Sequence, residues 1–163
     1  MLRRADDMGC EIGSHALTHS DMTQLTAEAA AAEVEETARR IEQITGERPR
    51  FFRPPYIAVN ETVFDAVQMP FICGWGVEDF KDSVSTEERV AGVLRQARDG
   101  GIILLHDKEG NFRTVEAVRQ IIPALLAQGF RLVTVSALFR EKGVTPQPRI
   151  LYSHTAQTTM YAE

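Results

Sequence analysis

The sequence predicts an α/β fold on three observations. Short apolar runs alternate five times with segments of helical period, the pattern of parallel βαβ units. Residues of catalytic type fall just after the apolar runs, where the loops of such folds gather on one face. The length of 163 residues is short for a closed eight-stranded barrel, which uses roughly 200–250. The sheet is therefore expected to be open, or to be missing its first strands.

Residues 2–8 read as the last turns of a helix, with Gly9 as its left-handed cap and no N-cap of its own. Residues 10–13 are a short strand, followed by a polar loop over 14–24. Thr26 caps a helix through Ile44 that Gly46 ends, with Ala29, Ala32, Val34, Ala38, Ile41 and Ile44 at its apolar positions. Residues 51–53 form a strand stopped by Pro54 and Pro55. Asn60 caps a helix to about Gln68, and 71–75 is the next strand. Ser85-Thr86-Glu87-Glu88 is a capping box that opens a helix to Arg98. The all-apolar run 102–105 suits a strand buried on both faces. A helix over 114–128 contains Pro123, which predicts a kink or a restart. Gly129 ends it, 130–135 is a strand, and Ser136 caps a final short helix to about Lys142. Residues 144–163 show no period and predict a surface-crossing or frayed tail. The expected organisation is one domain over 1–143 followed by this C-terminal tail.

Composition narrows the function classes. Eighteen Lys and Arg against 23 Asp and Glu give a net charge of −5, with no basic stripe, so no nucleic-acid partner is expected. No apolar run approaches the roughly 18 residues of a transmembrane segment. The first residues lack the apolar core of a signal peptide. Two cysteines, Cys10 and Cys73, are too few for a disulfide scaffold and form no CxxC.

The strand-end loops hold the candidates for chemistry. His15 and His19 follow the first strand, Arg53 and Tyr56 the second, Trp75, Glu78, Asp79 and Asp82 the third, and His106 and Asp107 the fourth. Four apart on a helical turn, His15 and His19 bring both imidazoles within reach of one metal ion; they also read as exposed loop histidines. His106 suits a general acid or base oriented by a carboxylate, or a structural histidine bonded at a strand end. Arg53, presented by a rigid Pro-Pro pair, holds a carboxylate bidentately or is a surface arginine. Trp75 and Phe80 either pack in the core or wall a sugar groove. Asp6-Asp7 reads as solvated helix surface.

Taken together these residues resemble a known family. Gly13-Ser14-His15-Ala16-Leu17-Thr18-His19 resembles the histidine metal motif of the polysaccharide deacetylases, the NodB-homology domains of carbohydrate esterase family 4. Arg53-Pro54-Pro55-Tyr56 resembles their arginine–proline–tyrosine motif, and Trp75 to Phe80 a shortened tryptophan–aspartate motif. Leu104-Leu105-His106-Asp107 resembles their last motif, and the similarity runs in family order from about Leu2 to Leu138. The resemblance implies an incomplete (β/α) barrel of the NodB type. It implies hydrolysis of N-acetyl, sometimes O-acetyl, groups on an acetylated polysaccharide such as peptidoglycan, chitin-like oligomers or xylan. His15 and His19 would ligate a divalent metal, zinc first, with cobalt or nickel as alternatives. Arg53 would orient the catalytic aspartate, the Tyr56 backbone N–H would help hold the oxyanion, and Leu104 would line the acetyl-methyl pocket beside Trp75. Asp79 would tune His106, which would protonate the leaving amine. Family members are commonly exported or cell-wall associated.

The chain departs from the family pattern twice. Asp79-Phe80 stands where Asp-Trp is usual, with spacing two residues short, so Glu78 and Asp82 compete with Asp79 for the tuning role. The family's Thr-Phe-Asp-Asp-Gly-Pro motif, source of the catalytic base and the third metal ligand, has no counterpart, since Asp6-Asp7 sits on the helix before the histidine strand. A catalytic metal typically has three protein ligands and one open position, so two histidines alone should bind weakly. The expectation is a metal-dependent deacetylase, with an impaired or inactive remnant that keeps residual sugar or metal binding as the alternative. An open sheet edge would also favour a homo-oligomer.

Overall fold

The computed structural model describes residues 1–158, which fall into two compact units: residues 1–73 with 134–158, and residues 74–133. Helices and parallel strand pairings alternate in both, as an α/β fold requires. No helix of the described residues is long and apolar enough to cross a membrane. Neither Cys10 nor Cys73 is in a disulfide.

In the first unit, helix α1 (Leu2–Asp7) ends at Gly9, whose φ of +83° is the left-handed cap the sequence implies. Helix α2 (Ala27–Thr45) starts at Thr26, whose side chain accepts the Ala29 N–H, and stops at Gly46 with φ +85°. Its buried stripe is Ala30, Val34, Ala38 and Ile41. Ala29 and Ala32, expected on the apolar face, are exposed, because the stripe follows the Val34–Ile41 line and Ala30 continues it by one turn. Helix α3 (Glu61–Ala66) is capped by Asn60, whose Oδ1 accepts the Val63 N–H. Helix α6 (Val135–Glu141) begins at Thr134 rather than Ser136. Ser136 is not available as a cap: its N–H and hydroxyl both bond the Glu11 carboxylate.

The strands are short and all parallel. Strand β1 (Phe71–Ile72) pairs with β2 (Leu151–Tyr152), with Phe71 opposite Leu151 and Ile72 opposite Tyr152. Single bridges extend this ladder from Phe71 to Phe52 and from Phe52 to Ser14. The expected strands 10–13 and 51–53 are thus reduced to Ser14 and Phe52, held by Ser14 N–H to the Phe51 carbonyl and Arg53 N–H to the Ser14 carbonyl, both 2.9 Å. The core beneath is Met22, Val34, Phe52, Phe64, Phe71 and Leu151 with their neighbours. Phe71 meets Phe52 and Phe64 edge-on at 5.5 and 5.0 Å, the arrangement that ring quadrupoles favour.

The stretch expected as a surface-crossing or frayed tail supplies β2. Leu151, Tyr152, Ser153 and Thr155 are buried, and Tyr152 packs on Phe139 at 4.9 Å. A strand of two residues carries no readable period, which is why the sequence hides it. Residues 159–163 of that expected tail lie outside the described residues.

In the second unit, helix α4 (Thr86–Gln96) opens on the full capping box: Ser85 Oγ accepts the Glu88 N–H and the Glu88 carboxylate accepts the Ser85 N–H. Helix α5 (Phe112–Ala127) starts two residues before the expected position and runs through Pro123 without a break. Val93 of α4 packs with Ala117, Ile121 and Leu125 of α5. Trp75 bridges Ile103 in parallel, through Trp75 N–H to the Ile102 carbonyl at 2.8 Å and Leu104 N–H to the Trp75 carbonyl at 2.9 Å. The run 102–105 is partly exposed, not buried on both faces as its composition suggests. Residues 130–133, expected as a strand, lie outside any strand, with Leu132 and Val133 exposed.

Leu151 is 6% exposed on a strand that closes one edge of the first unit's ladder. Leu151→Ala should lower the unfolding free energy by about 2–4 kcal/mol, the cost of a large-to-small change in a core. Urea unfolding measures it; an unmoved midpoint would contradict the paired strand.

Candidate functional site

The first unit assembles His15, His19, Arg53 and Tyr56. The Ser14–Phe52 bridge sets the register that brings the Arg53 carbonyl to 2.6 Å from His15 Nδ1. A carbonyl only accepts, so Nδ1 is the donor, and in the neutral imidazole the lone pair is on Nε2. That is the tautomer and orientation of a metal-ligating histidine, whose second nitrogen is usually tied to a carbonyl or carboxylate. Sequence reasoning valued Arg53 for its charge; here its backbone carbonyl orients the histidine.

The two imidazoles meet with centroids 4.8 Å apart and planes at 83°. They do so without the helical turn that their spacing suggested. Ala16 and His19 take φ of +61° and +59°, and these two left-handed residues curl the loop instead. The loop is clamped by Glu33 of α2, whose Oε2 accepts the Leu17 and Thr18 N–H groups, each at 2.8 Å, and whose Oε1 accepts the Thr18 hydroxyl at 2.9 Å. Burial pushes the Glu33 carboxyl upward, but these donors outweigh it and its pKa falls below the ordinary 4.5.

Tyr56 follows the rigid Pro54-Pro55 pair. It is 69% exposed, its ring lies 4.9 Å from that of His19, and both Tyr56 and Ile57 are left-handed, with φ +57° and +55°. For a β-branched residue such as Ile57 that conformation is a genuine outlier. Each such residue costs on the order of 1–3 kcal/mol, and strain of this kind concentrates at functional loops.

As a metal site the first unit offers two imidazole nitrogens of the right chemistry, and the His15 tautomer is preset for ligation. Among the described residues no group of three or more His, Cys, Asp and Glu converges on one point. The donors fit a divalent ion as two of the three ligands that a catalytic site ordinarily uses.

The second unit brings Asp79 and His106 together. Asp79 is 1% exposed. Its Oδ1 accepts the His106 ring Nδ1–H at 2.7 Å, and its Oδ2 accepts the His106 peptide N–H at 2.7 Å and the Thr114 hydroxyl at 2.9 Å. Of the three carboxylates that follow the third strand, Asp79 is the one bonded to His106. Glu78 pairs with Lys81, and Asp82 contributes its carbonyl to Arg113. Bonding at Nδ1 leaves Nε2 as the nitrogen through which His106 exchanges a proton. Phe80 packs edge-on against the His106 ring at 5.2 Å and is exposed.

Trp75 is stacked on the Arg98 guanidinium, 3.6 Å from its centroid. On Gly101 a Cβ would fall 2.4 Å from the Trp75 ring, so only glycine admits the indole there. The half-buried Leu104 packs against Gly74 and Gly76. Four polar residues that carry the site escaped sequence reasoning: Glu33, Arg89, Asn111 and Thr114. The one available signal was Arg89, a charge in phase with the buried face of an amphipathic helix, alongside Gly92 and Val93.

The chain is similar to known proteins over most of its length. The family profile described as polysaccharide deacetylase matches residues 1–70. A bifunctional xylanase/deacetylase of Pseudobutyrivibrio xylanivorans is 46% identical over 146 residues, covering 90% of this chain and 24% of that protein. The crystal structure of the Xyl-CE4 domain of a multidomain xylanase, from the hindgut metagenome of Trinervitermes trinervoides, superposes with TM-score 0.93 at 45% identity, over 94% of this chain and 76% of that one. A family 4 acetyl xylan esterase from Clostridium thermocellum, in complex with a cobalt ion, gives 0.91 at 34% identity, over 96% and 78%. The chain spans from about a quarter to just under two thirds of the length of curated relatives that it matches.

Glu33→Gln should loosen the histidine loop, because a glutamine offers one acceptor oxygen where the carboxylate offers two. Amide exchange at Leu17 and Thr18 should quicken. With its folded pKa depressed, Glu33 clamps fully above pH 4.5 and lets go as the pH falls through the lowered value, so the same amides should lose protection on acidification.

Proposed function

The chain belongs to the polysaccharide deacetylase family, carbohydrate esterase family 4, and from that premise we propose that it hydrolyses acetyl groups on a polysaccharide. Its likeness to a xylanase-linked deacetylase and to an acetyl xylan esterase makes acetylated xylan the first substrate to test. N-acetylated polymers, peptidoglycan and chitin-like oligomers, come second. The observation that carries the reading is the Asp79–His106 pair: a buried carboxylate that takes both the ring Nδ1–H and the peptide N–H of one histidine.

Acetyl hydrolysis needs a water made nucleophilic, a carbonyl oxygen stabilised as it gains charge, and a proton delivered to the departing oxygen or nitrogen. A divalent ion such as zinc or cobalt, held by His15 and His19, would supply Lewis-acid polarisation. His106, as the imidazolium, would act as general acid from Nε2, with Asp79 fixing the ring and stabilising its charge; after giving that proton to the leaving oxygen or nitrogen, the neutral Nδ1–H imidazole would take a new one from solvent. The strained backbone at Tyr56 would present its N–H to the developing oxyanion, and Leu104 would face the acetyl methyl. Arg53 holds His15 through its carbonyl, and its guanidinium would orient a carboxylate that serves as base.

One observation favours a second reading. With two histidines as the metal donors among the described residues, binding should be weaker than at a three-ligand site, and the chain would be an impaired enzyme that retains metal or sugar binding.

Acetate release from acetylated xylan and from acetylated chito-oligomers, with and without added zinc or cobalt, tests both readings. For a working enzyme, release should depend on the added ion and disappear in His15→Ala. His106→Ala should lower kcat by about 10²–10⁴, the usual worth of a general acid. Calorimetric zinc binding without any acetate release would replace the enzyme by the second reading.

A further inference from the structure

Behind the Asp79–His106 pair lies a buried charge that the deacetylase reading leaves without a task. Arg89, on the second turn of α4, is 1% exposed. Its Nη1 donates to Asn111 Oδ1 at 2.8 Å and to Thr114 Oγ1 at 3.0 Å, and its Nη2 donates to the Lys81 carbonyl at 2.9 Å. Its Nε is buried with no partner among the described residues. Stability alone does not explain such a residue: a guanidinium taken out of water with one donor unmatched is a costly way to fill space in a helix interface.

What the guanidinium does follows from its being a donor only. Asn111 must turn its carbonyl oxygen to Arg89, so its amide hydrogens face the other way, toward the His106 carbonyl at 2.8 Å and the Asp79 carbonyl at 3.2 Å. Thr114 accepts from Arg89, so its single hydroxyl hydrogen goes to Asp79 Oδ2 at 2.9 Å. With Oδ2 taken by Thr114 and the His106 peptide N–H, Oδ1 is left for the His106 ring, and it accepts Nδ1–H. Arg89 thus donates to Thr114, and Thr114 and His106 both donate to the Asp79 carboxylate. Arg89 also places a positive charge one side chain away from Asp79.

We propose that Arg89 is a positioning residue: acting through Asn111 and Thr114, it sets the hydrogen-bond direction that holds His106 in its Nδ1–H tautomer, with Nε2 turned to the reaction. The consequence for rate rests on the reading of His106 as general acid; the tautomer does not.

Long-range proton–nitrogen NMR of the nitrogen-15-labelled full chain reports the tautomer, with the His106 signals assigned by their loss in His106→Gln. The wild type should show Nδ1–H at a pH where the imidazoles are neutral. Arg89→Gln introduces an acceptor and removes the charge, which lets Asn111 and Thr114 turn, so His106 should show both tautomers. Arg89→Lys remains donor-only and cationic, so it should keep the wild-type pattern. On acetylated substrate, Arg89→Gln should lower kcat about tenfold with KM changed less than about twofold, the pattern of a loss confined to the transition state. If Arg89→Gln does not fold, Thr114→Val and Thr114→Ser carry the test, with the tautomer shifting in the first and holding in the second. An unchanged His106 tautomer in folded Arg89→Gln or in Thr114→Val overturns the proposal, as does equal disturbance by Lys and Gln. Absence of deacetylation with the tautomer behaving as expected counts against the function reading instead.

Discussion

The ladder Ser14–Phe52–Phe71–Leu151 and the Trp75–Ile103 bridge all run parallel, and that direction governs what each unit presents. Parallel neighbours cannot be joined by a tight turn; they need a crossover. Helix α2 is the crossover from Ser14 to Phe52, and α3 the one from Phe52 to Phe71. Because neighbouring segments run the same way, they also leave their pairings at the same end. His15 and Arg53 each stand one position beyond the bridged pair Ser14–Phe52, which is why the carbonyl of one meets the ring of the other. A slip of one residue would carry His15 to the opposite face. In the second unit the same logic takes Asp79 and His106 out of the Trp75–Ile103 pairing together.

Elements whose signals are local were readable. Thr26, Asn60 and Ser85 cap their helices as expected, and Gly9 and Gly46 end theirs, because each device is completed within a few residues of chain. Where a distant group competes for the same atoms, reading failed. Ser136 lost its role as cap to Glu11, whose carboxylate takes both its N–H and its hydroxyl. The β2 strand was invisible because two residues have no period, and their burial depends on Phe71 far back in the chain.

The site was legible in the same measure. His15, His19, Asp79 and His106 stand out as chemical types at strand ends. What holds them does not, since Glu33, Asn111 and Thr114 are ordinary residues at ordinary helix and cap positions until the fold brings them together. Two carboxylates end two separate sets of donors, under different conditions. Glu33 works at a partly exposed loop, where water competes for its donors and solution acidity reaches it. Asp79 works out of water, where a carboxylate stands only with its oxygens filled by donors and its charge balanced.

The pairing of β1 with β2 bears on the order in which the chain can become a folded object. During synthesis Phe71 emerges long before Leu151, and everything in the second unit is made in between. Until β2 leaves the ribosome, the outer edge of β1 stands open beside an aromatic cluster, the kind of surface on which nascent chains stick to one another. The intervening segment has a core of its own, Val93 against Ala117, Ile121 and Leu125, and can collapse on local contacts while the first unit waits. Such long-range closure slows folding far more than it alters final stability. Strand β2 is therefore both the lock on the first unit and the element that determines how long its sticky edge stays exposed.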